Sequence, residues 1–168
     1  MTNIEVLWKN LDRFLTEAAL IYDAEEKAAL EIGPSDTHKT AKDYFIKSKI
    51  KTFDILPQLK PDYLGDLCSS NAPAIPDSSF DYIFCCEVLD HVKQPFDAVN
   101  EIYRMLKPEG TAFITTPFFL QLHPPFPDCW RFTEYGLLSL FKSFEIVKLE
   151  FVGQREFPVQ YTLIARKK

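Results

Sequence analysis

Basic charge, long apolar runs, cysteine pairs and glycine are all scarce in this chain, and each scarcity removes a class of function. Nineteen Lys and Arg against 24 Asp and Glu give a net charge of -5 and a pI near 5.2. The one terminal basic cluster, Arg166 to Lys168, is too small to track a phosphate backbone, so no nucleic-acid partner is expected. The opening stretch, MTNIEVLWKNLDRF, is broken by polar residues every few positions. Neither a signal peptide, a membrane span nor a membrane partner is expected, and the reading is a cytoplasmic protein. Cys68, Cys85, Cys86 and Cys129 form no C-x-x-C pair, and the adjacent Cys85 and Cys86 should point to opposite faces of a strand. They read as reduced thiols. None of the three histidines stands at a metal-motif spacing from them, so no metal is expected. Only five glycines occur, and one, Gly33, follows the first predicted strand, where a pyrophosphate would demand several; a nicotinamide-dependent oxidoreductase is disfavoured.

What is present is a chain of 168 residues with 46% apolar and 14% aromatic content, enough for one substantial core. The expectation is a single domain over 1–168, an N-terminal helix in 1–23 and a core in 27–168. Ile4, Leu7, Trp8, Leu11, Leu15 and Ala18 recur at helical spacing, predicting a helix to Tyr22 that packs across a sheet, with a lid over a ligand as its alternative role. Ala28 to Ile32 is a first strand ending at Gly33. Asp36 to Ser48 is the predicted crossover helix. Ile50 to Ile55 is a second strand, with Asp54 21 residues beyond Gly33. That spacing suits a carboxylate placed against a ribose hydroxyl.

Asp62 to Leu67 reads as a short third strand closing on Asp66, and Phe80 to Cys86 as a central strand. Pro95 to Leu106 is an amphipathic helix that Lys107 to Gly110 should stop. Thr111 to Thr116 is a fifth strand. The proline-rich Pro117 to Arg131 is a long loop at the crevice edge. Thr133 caps a helix to Phe141, and Phe144 to Phe151 with Val159 to Ala165 form an antiparallel pair at the sheet edge. The fold expected is α/β, a Rossmann-like doubly wound sheet in a three-layer α/β/α sandwich, mostly parallel with an antiparallel C-terminal strand pair.

LEIGPSD, TFDI, YLGDL, SSFDYIFCCEVLDHV and YRMLKPEGTAFITTPF, in that order, resemble the motifs of class I S-adenosylmethionine-dependent methyltransferases, specifically the small-molecule type 11 group. HPPFPDCWRFT is similar to a loop in a subset of them. The resemblance implies S-adenosyl-L-methionine as cofactor, with Glu31 and Gly33 at its methionine part, Asp54 at the ribose, Asp66 and Leu67 at the adenine, and Cys86 and Glu87 bordering the sulfonium. It also implies that the last two strands form a hairpin with one strand inserted beside the fifth. Ser35 and Thr37 stand where the family usually has glycine, so Ser35 enters the cofactor loop as a departure from the pattern.

The chemistry suits these residues. Two strand-end carboxylates match a ligand carrying a diol, an amine and a cation, and would repel a diphosphate. Methyl transfer asks mainly for positioning and removal of one proton. His91, His123 and Asp128 are the candidate bases, and Glu87 a group to orient the acceptor. Each has a plainer reading. His91 can hold a turn through a backbone carbonyl, His123 and Asp128 can be solvated loop residues, Trp130 and Phe132 can anchor the loop, and Arg131 can bind an anion or pair with a carboxylate. The activity expected is methyl transfer to an oxygen or nitrogen of a small-molecule acceptor. The alternative is a catalytically silent binding or scaffold protein. With so little chain to cover it, the acceptor side is expected to be open or completed by a second subunit, as in a homodimer.

Overall fold

A computed structural model describes residues 1–124 and 127–168; residues 125 and 126, within the expected loop Pro117 to Arg131, lie outside the described residues. The helix α1 (Asn3–Tyr22) starts at Thr2, whose side chain accepts from Glu5 N while the Glu5 carboxylate accepts from Thr2 N at 2.7 Å, a reciprocal capping box. The strands β1 (Ala28–Ile32), β2 (Lys49–Asp54), β3 (Tyr63–Leu64), β4 (Phe80–Cys86), β5 (Leu106–Pro117), β6 (Phe144–Gln154) and β7 (Phe157–Lys167) form one sheet in the order β3-β2-β1-β4-β5-β7-β6. Pairings from β3 through β5 are parallel, and β7 enters antiparallel between β5 and β6. The expected doubly wound sheet with an inserted C-terminal strand is the one observed. Among the described residues no helix is long and apolar enough to cross a membrane.

Strand alternation sorts the core into two layers. Ile83, Cys85, Ala112, Ile114 and Leu163 face α2 (Pro95–Met105) and α3 (Glu134–Leu140). Tyr82, Phe84, Phe113 and Ile164 face α1 through Leu11, Phe14, Leu15 and Ala18. Cys85 and Cys86 accordingly pack on opposite faces, as their adjacency requires, and all four cysteines are free. Phe113 is the hub of the α1 layer. Its ring stacks on Phe84 at 4.9 Å and meets Tyr22, Phe45, Tyr82 and Phe14 at 5.1 to 6.4 Å.

Three boundaries differ from the sequence expectation. The crossover helix over Asp36 to Ser48 does not form; only a single 3-10 turn, Ala41–Asp43, stands between β1 and β2. Local side-chain bonds capture the backbone first: Ser35 Oγ accepts from Thr37 N and His38 N at 3.2 and 3.1 Å, and Asp43 accepts from Thr40 N at 2.7 Å. The third strand shrinks to two residues because Asp62 accepts from Thr52 N and Thr52 Oγ1, at 2.7 and 3.0 Å, in place of ladder pairing. Finally, α2 ends at Met105, within a residue of the expected end ahead of Lys107 to Gly110, and it is β5 that differs, beginning at Leu106 rather than Thr111. Those four residues bulge instead at the start of β5, with Glu109 at φ +62°.

With the crossover helix absent, α1 alone among the helices covers the Phe113 layer. Phe113→Ala should cost about 3–5 kcal/mol in a urea titration, whereas Val147→Ala, half-exposed on β6, should stay within about 0.5 kcal/mol.

Candidate active site

The carboxyl ends of β1, β2 and β4 open onto a cleft of about 990 Å³, the crevice position for an open α/β sheet. Each strand end contributes acid. Glu31, 6% exposed on β1, accepts from Ala41 N at 2.6 Å through Oε1, and its Oε2 is buried with no hydrogen-bond partner among the described residues. Burial pushes its carboxyl above the usual range. Gly33 follows at φ +60°, and a Cβ there would fall 2.8 Å from Val88 Cγ2. Glycine is needed here for both reasons. Asp54, at the end of β2, accepts from Leu56 N at 2.8 Å and lines the cleft, and Asp66 accepts from Cys68 N at 2.8 Å. Leu67 and Cys86 complete that side. Ser35 also lines the cleft, and its hydroxyl fixes the loop that extra glycines would have left loose.

α1 closes one wall through Leu7, Trp8 and Leu11. Trp8 stacks on His38 with ring centroids 3.7 Å apart, so helix and loop meet over the cleft. α1 therefore lines the cleft as well as packing on the sheet.

Glu87 sits just past β4 at φ +55°, a left-handed conformation rare for a glutamate. Its Oε1 accepts from Thr115 Oγ1 at 2.6 Å and Gln160 Nε2 at 2.8 Å. Gln160 Oε1 in turn accepts from Asn10 Nδ2 on α1 at 2.7 Å, and Asn10 Oδ1 from Arg13 at 2.9 Å. The second oxygen, Oε2, is buried and unpartnered among the described residues. Burial, reinforced by the nearby charge of Asp90, raises the Glu87 carboxyl to about 7, against the opposing pull of the two hydrogen bonds and of Arg131.

The turn after Glu87 and the proline-rich loop are tied together. Asp90 O accepts from Cys129 N and Trp130 N at 2.7 and 3.0 Å, and Val92 O from Trp130 Nε1 at 2.8 Å. His91 Nδ1 donates to Pro127 O at 3.1 Å, since a carbonyl can only accept. These ties bring His91 and His123 together, with ring centroids 5.1 Å apart and both lining the cleft. Asp128 joins them less directly. Its carboxylate makes a two-pronged pair with Arg131, one prong at 2.8 Å, and accepts from His123 N at 3.1 Å. Arg131 holds it down to about 2. Arg131 is thus a carboxylate partner, the choice its sequence left open. Phe132 is buried as an anchor, while Trp130 pins the loop through its indole N–H with its ring partly exposed.

Sequence reasoning did not single out Asp90, Thr115, Gln160 or Trp8. Thr115 and Gln160 are fully buried, but other buried polar residues share their strands, Thr111 and Thr116 on β5 and Thr162 on β7, so polarity in the strand does not single them out.

Residues 43–114 match the family model of a methyltransferase domain. A stretch of 37 residues is 46% identical to a ubiquinone biosynthesis O-methyltransferase of Pseudomonas putida (strain W619), covering 22% of this chain and only 16% of that relative. Likeness to solved structures is far more extensive. A proposed methyltransferase from Bacillus halodurans C-125 superposes with TM-score 0.75 at 14% identity, over 95% of this chain and 99% of the other. A SAM-dependent methyltransferase from Methanosarcina mazei gives TM-score 0.65 at 18% identity, over 87% and 94%. The cyclase SpnF gives 0.70 at 17%, over 94% and 80%. At such identities these three show shared fold. The Methanosarcina mazei neighbour is SAM-dependent, and the cleft here has features that would fit that group: an unpartnered buried Glu31 oxygen among the described residues for a cationic group, a Gly33 at positive φ with Val88 against it, and Asp54 at the next strand end. Residues 43–114 thus carry the match to a methyltransferase domain, and the whole sheet has the fold of solved methyltransferases.

Proposed function

We propose that this protein transfers a methyl group from S-adenosylmethionine to an oxygen or nitrogen of a small-molecule acceptor. The observation that carries the reading is the row of strand-end residues Glu31, Gly33 and Asp54 along one cleft, with Glu31 keeping a buried carboxylate oxygen unpartnered among the described residues. A relict scaffold would gain nothing from that desolvated charge. When bound, S-adenosylmethionine supplies an electrophilic methyl carbon: an acceptor lone pair bonds to it, the carbon–sulfur bond breaks with its electron pair left on sulfur, and the acceptor's proton goes to a base.

In this reading Asp54 accepts from the ribose hydroxyls, Glu31 with the Gly33 and Ser35 loop holds the methionine end, and Asp66 and Leu67 hold the adenine. Cys86 and Glu87 border the reacting centre. Trp8 and the stacked His38 keep water out from the α1 side. His91 and His123 face the acceptor. Asp128, held as a carboxylate by Arg131, orients His123 rather than taking a proton itself. Glu87, poised at about 7, is the group matched to accept a proton near neutral pH.

Two outcomes test this. Isothermal titration should show binding of S-adenosylmethionine and S-adenosylhomocysteine, weakened about tenfold to a hundredfold by Asp54→Ala through loss of charge-assisted hydrogen bonds; a wild-type chain that binds neither ligand overturns the proposal. The second concerns Glu87. Because its folded pKa is raised to about 7, the folded chain keeps a proton there that the unfolded chain has released above the ordinary glutamate range. Stability should therefore fall as pH rises from about 4.5 towards 7. In denaturant titrations across that window, Glu87→Gln should show a flatter dependence than wild type.

A further inference from the structure

Asp90 is the most completely buried acid of the chain, 0% exposed, and neither carboxylate oxygen has a hydrogen-bond partner among the described residues. Two imidazoles converge on it. His91 Nε2 lies 3.2 Å and His123 Nε2 3.9 Å from the same oxygen, Oδ2, and neither contact has hydrogen-bond geometry. No two of the three ligand atoms are more than 4.8 Å apart. Donors about 2.1 Å from one ion stand about 3.0 to 3.4 Å from each other at right-angled or tetrahedral positions, so a small inward movement would bring these three to a common centre.

The far side of each ring decides which nitrogen is free. His91 gives its Nδ1–H to Pro127 O, which turns Nε2 toward Asp90. His123 Nδ1 has Asp128 Oδ2 3.2 Å away without hydrogen-bond geometry, and Asp128 holds this residue instead through its main-chain N–H at 3.1 Å. A carbonyl behind one ring and a carboxylate near the other are the kinds of group that orient metal-ligating histidines. A buried carboxylate with neither oxygen hydrogen-bonded among the described residues, faced by two imidazoles, calls for positive charge among the three. Glu87 and Asp128 add further negative charge, and Arg131 is committed to Asp128.

We propose that Asp90, His91 and His123 bind one divalent transition-metal cation at the acceptor end of the cleft. Two imidazole nitrogens with one carboxylate oxygen favour zinc, manganese or ferrous iron over the harder magnesium and calcium, which prefer all-oxygen sites. Three protein ligands leave positions open, and His91 and His123 both line the cleft, so those positions are accessible to an acceptor oxygen. Resting on the methyltransferase reading, this selects oxygen as the methylated atom: a hydroxyl held on the cation becomes more acidic and is fixed for attack. Spacing to cysteines, the basis for expecting no metal, does not register such a site. It contains no thiol, and its histidines are 32 residues apart and meet only because the loop is tied to the turn at Asp90 and Val92.

The test uses the untagged full chain, stripped of metal with a chelator, and titrated calorimetrically with Zn²⁺ or Co²⁺ alone, the cobalt complex being followed by visible absorption. One equivalent should bind per chain, and Asp90→Asn and His123→Gln should each weaken binding by at least about tenfold. His123→Gln alters a partly exposed loop residue, so it reports on the site even if Asp90→Asn fails to fold; His38→Gln, outside the cluster, should leave cation affinity unchanged. No cation binding, or binding indifferent to both cluster variants, overturns the site and leaves a proton as the bridging charge. S-adenosylmethionine titrated into the same metal-free chain separates the two proposals: a chain that binds S-adenosylmethionine but takes up no Zn²⁺ or Co²⁺ sinks only the cation site, and one that takes up the cation but fails to bind S-adenosylmethionine with or without it sinks the methyltransferase reading.

Discussion

The carboxylates of Glu31, Glu87 and Asp90 are held out of water at the carboxyl edge of the sheet, each with at least one oxygen unpartnered among the described residues. Such groups oppose folding unless something holds them and something binds them. Each has a dedicated support. Glu31 is fixed by the amide that begins the 3-10 turn and Glu87 by the Thr115 hydroxyl and the Gln160 amide, while the Asp90 residue is anchored through its own main-chain carbonyl, which accepts from Cys129 and Trp130 of the acceptor-side loop. The sheet order follows from the same requirement. Inserting β7 between β5 and β6 puts Gln160 beside Pro117, within reach of both Glu87 and Asn10.

Desolvated acid also explains what the cleft selects. A site rich in buried carboxylate rejects phosphates and favours ligands that bring positive charge or hydroxyl donors. The proposed donor, S-adenosylmethionine, would bring a sulfonium and an amine, and the proposed cation would bring charge to the other end. Both halves of the cleft thus meet one electrostatic demand. The likeness to SpnF, a cyclase, shows that this fold serves other chemistry, so the functional argument rests on these residues and not on the architecture.

Elements set by local periodicity were legible in the sequence. FDYIFCC is a strand with the bounds its apolar run suggests, and the Cys85 and Cys86 alternation follows from pleat geometry alone. Asp36 to Ser48 was misread because helical composition was weighed without the hydroxyls and carboxylates that bond back to their own backbone. Asp90 stood in plain view beside His91, yet its significance depends on His123 arriving from beyond β5. Local patterns report pairs three or four residues apart; the constellation here is assembled by loop ties between distant segments, whose partners become visible only in three dimensions.

The single helix over the Phe113 layer has a kinetic consequence. Leu7, Leu11, Phe14 and Leu15 are each almost wholly buried, and at about 1.5–3 kcal/mol apiece their removal approaches the whole stability of a domain this size. α1 therefore cannot swing away as an independent gate: a motion that opened the cleft from that side would expose the aromatic layer and amount to unfolding. Traffic must pass where less is buried, between the loop carrying His38 and the one carrying Leu120 and His123. The helix is thus a fixed wall of the entrance, and the edge of Trp8 sets how wide that entrance is.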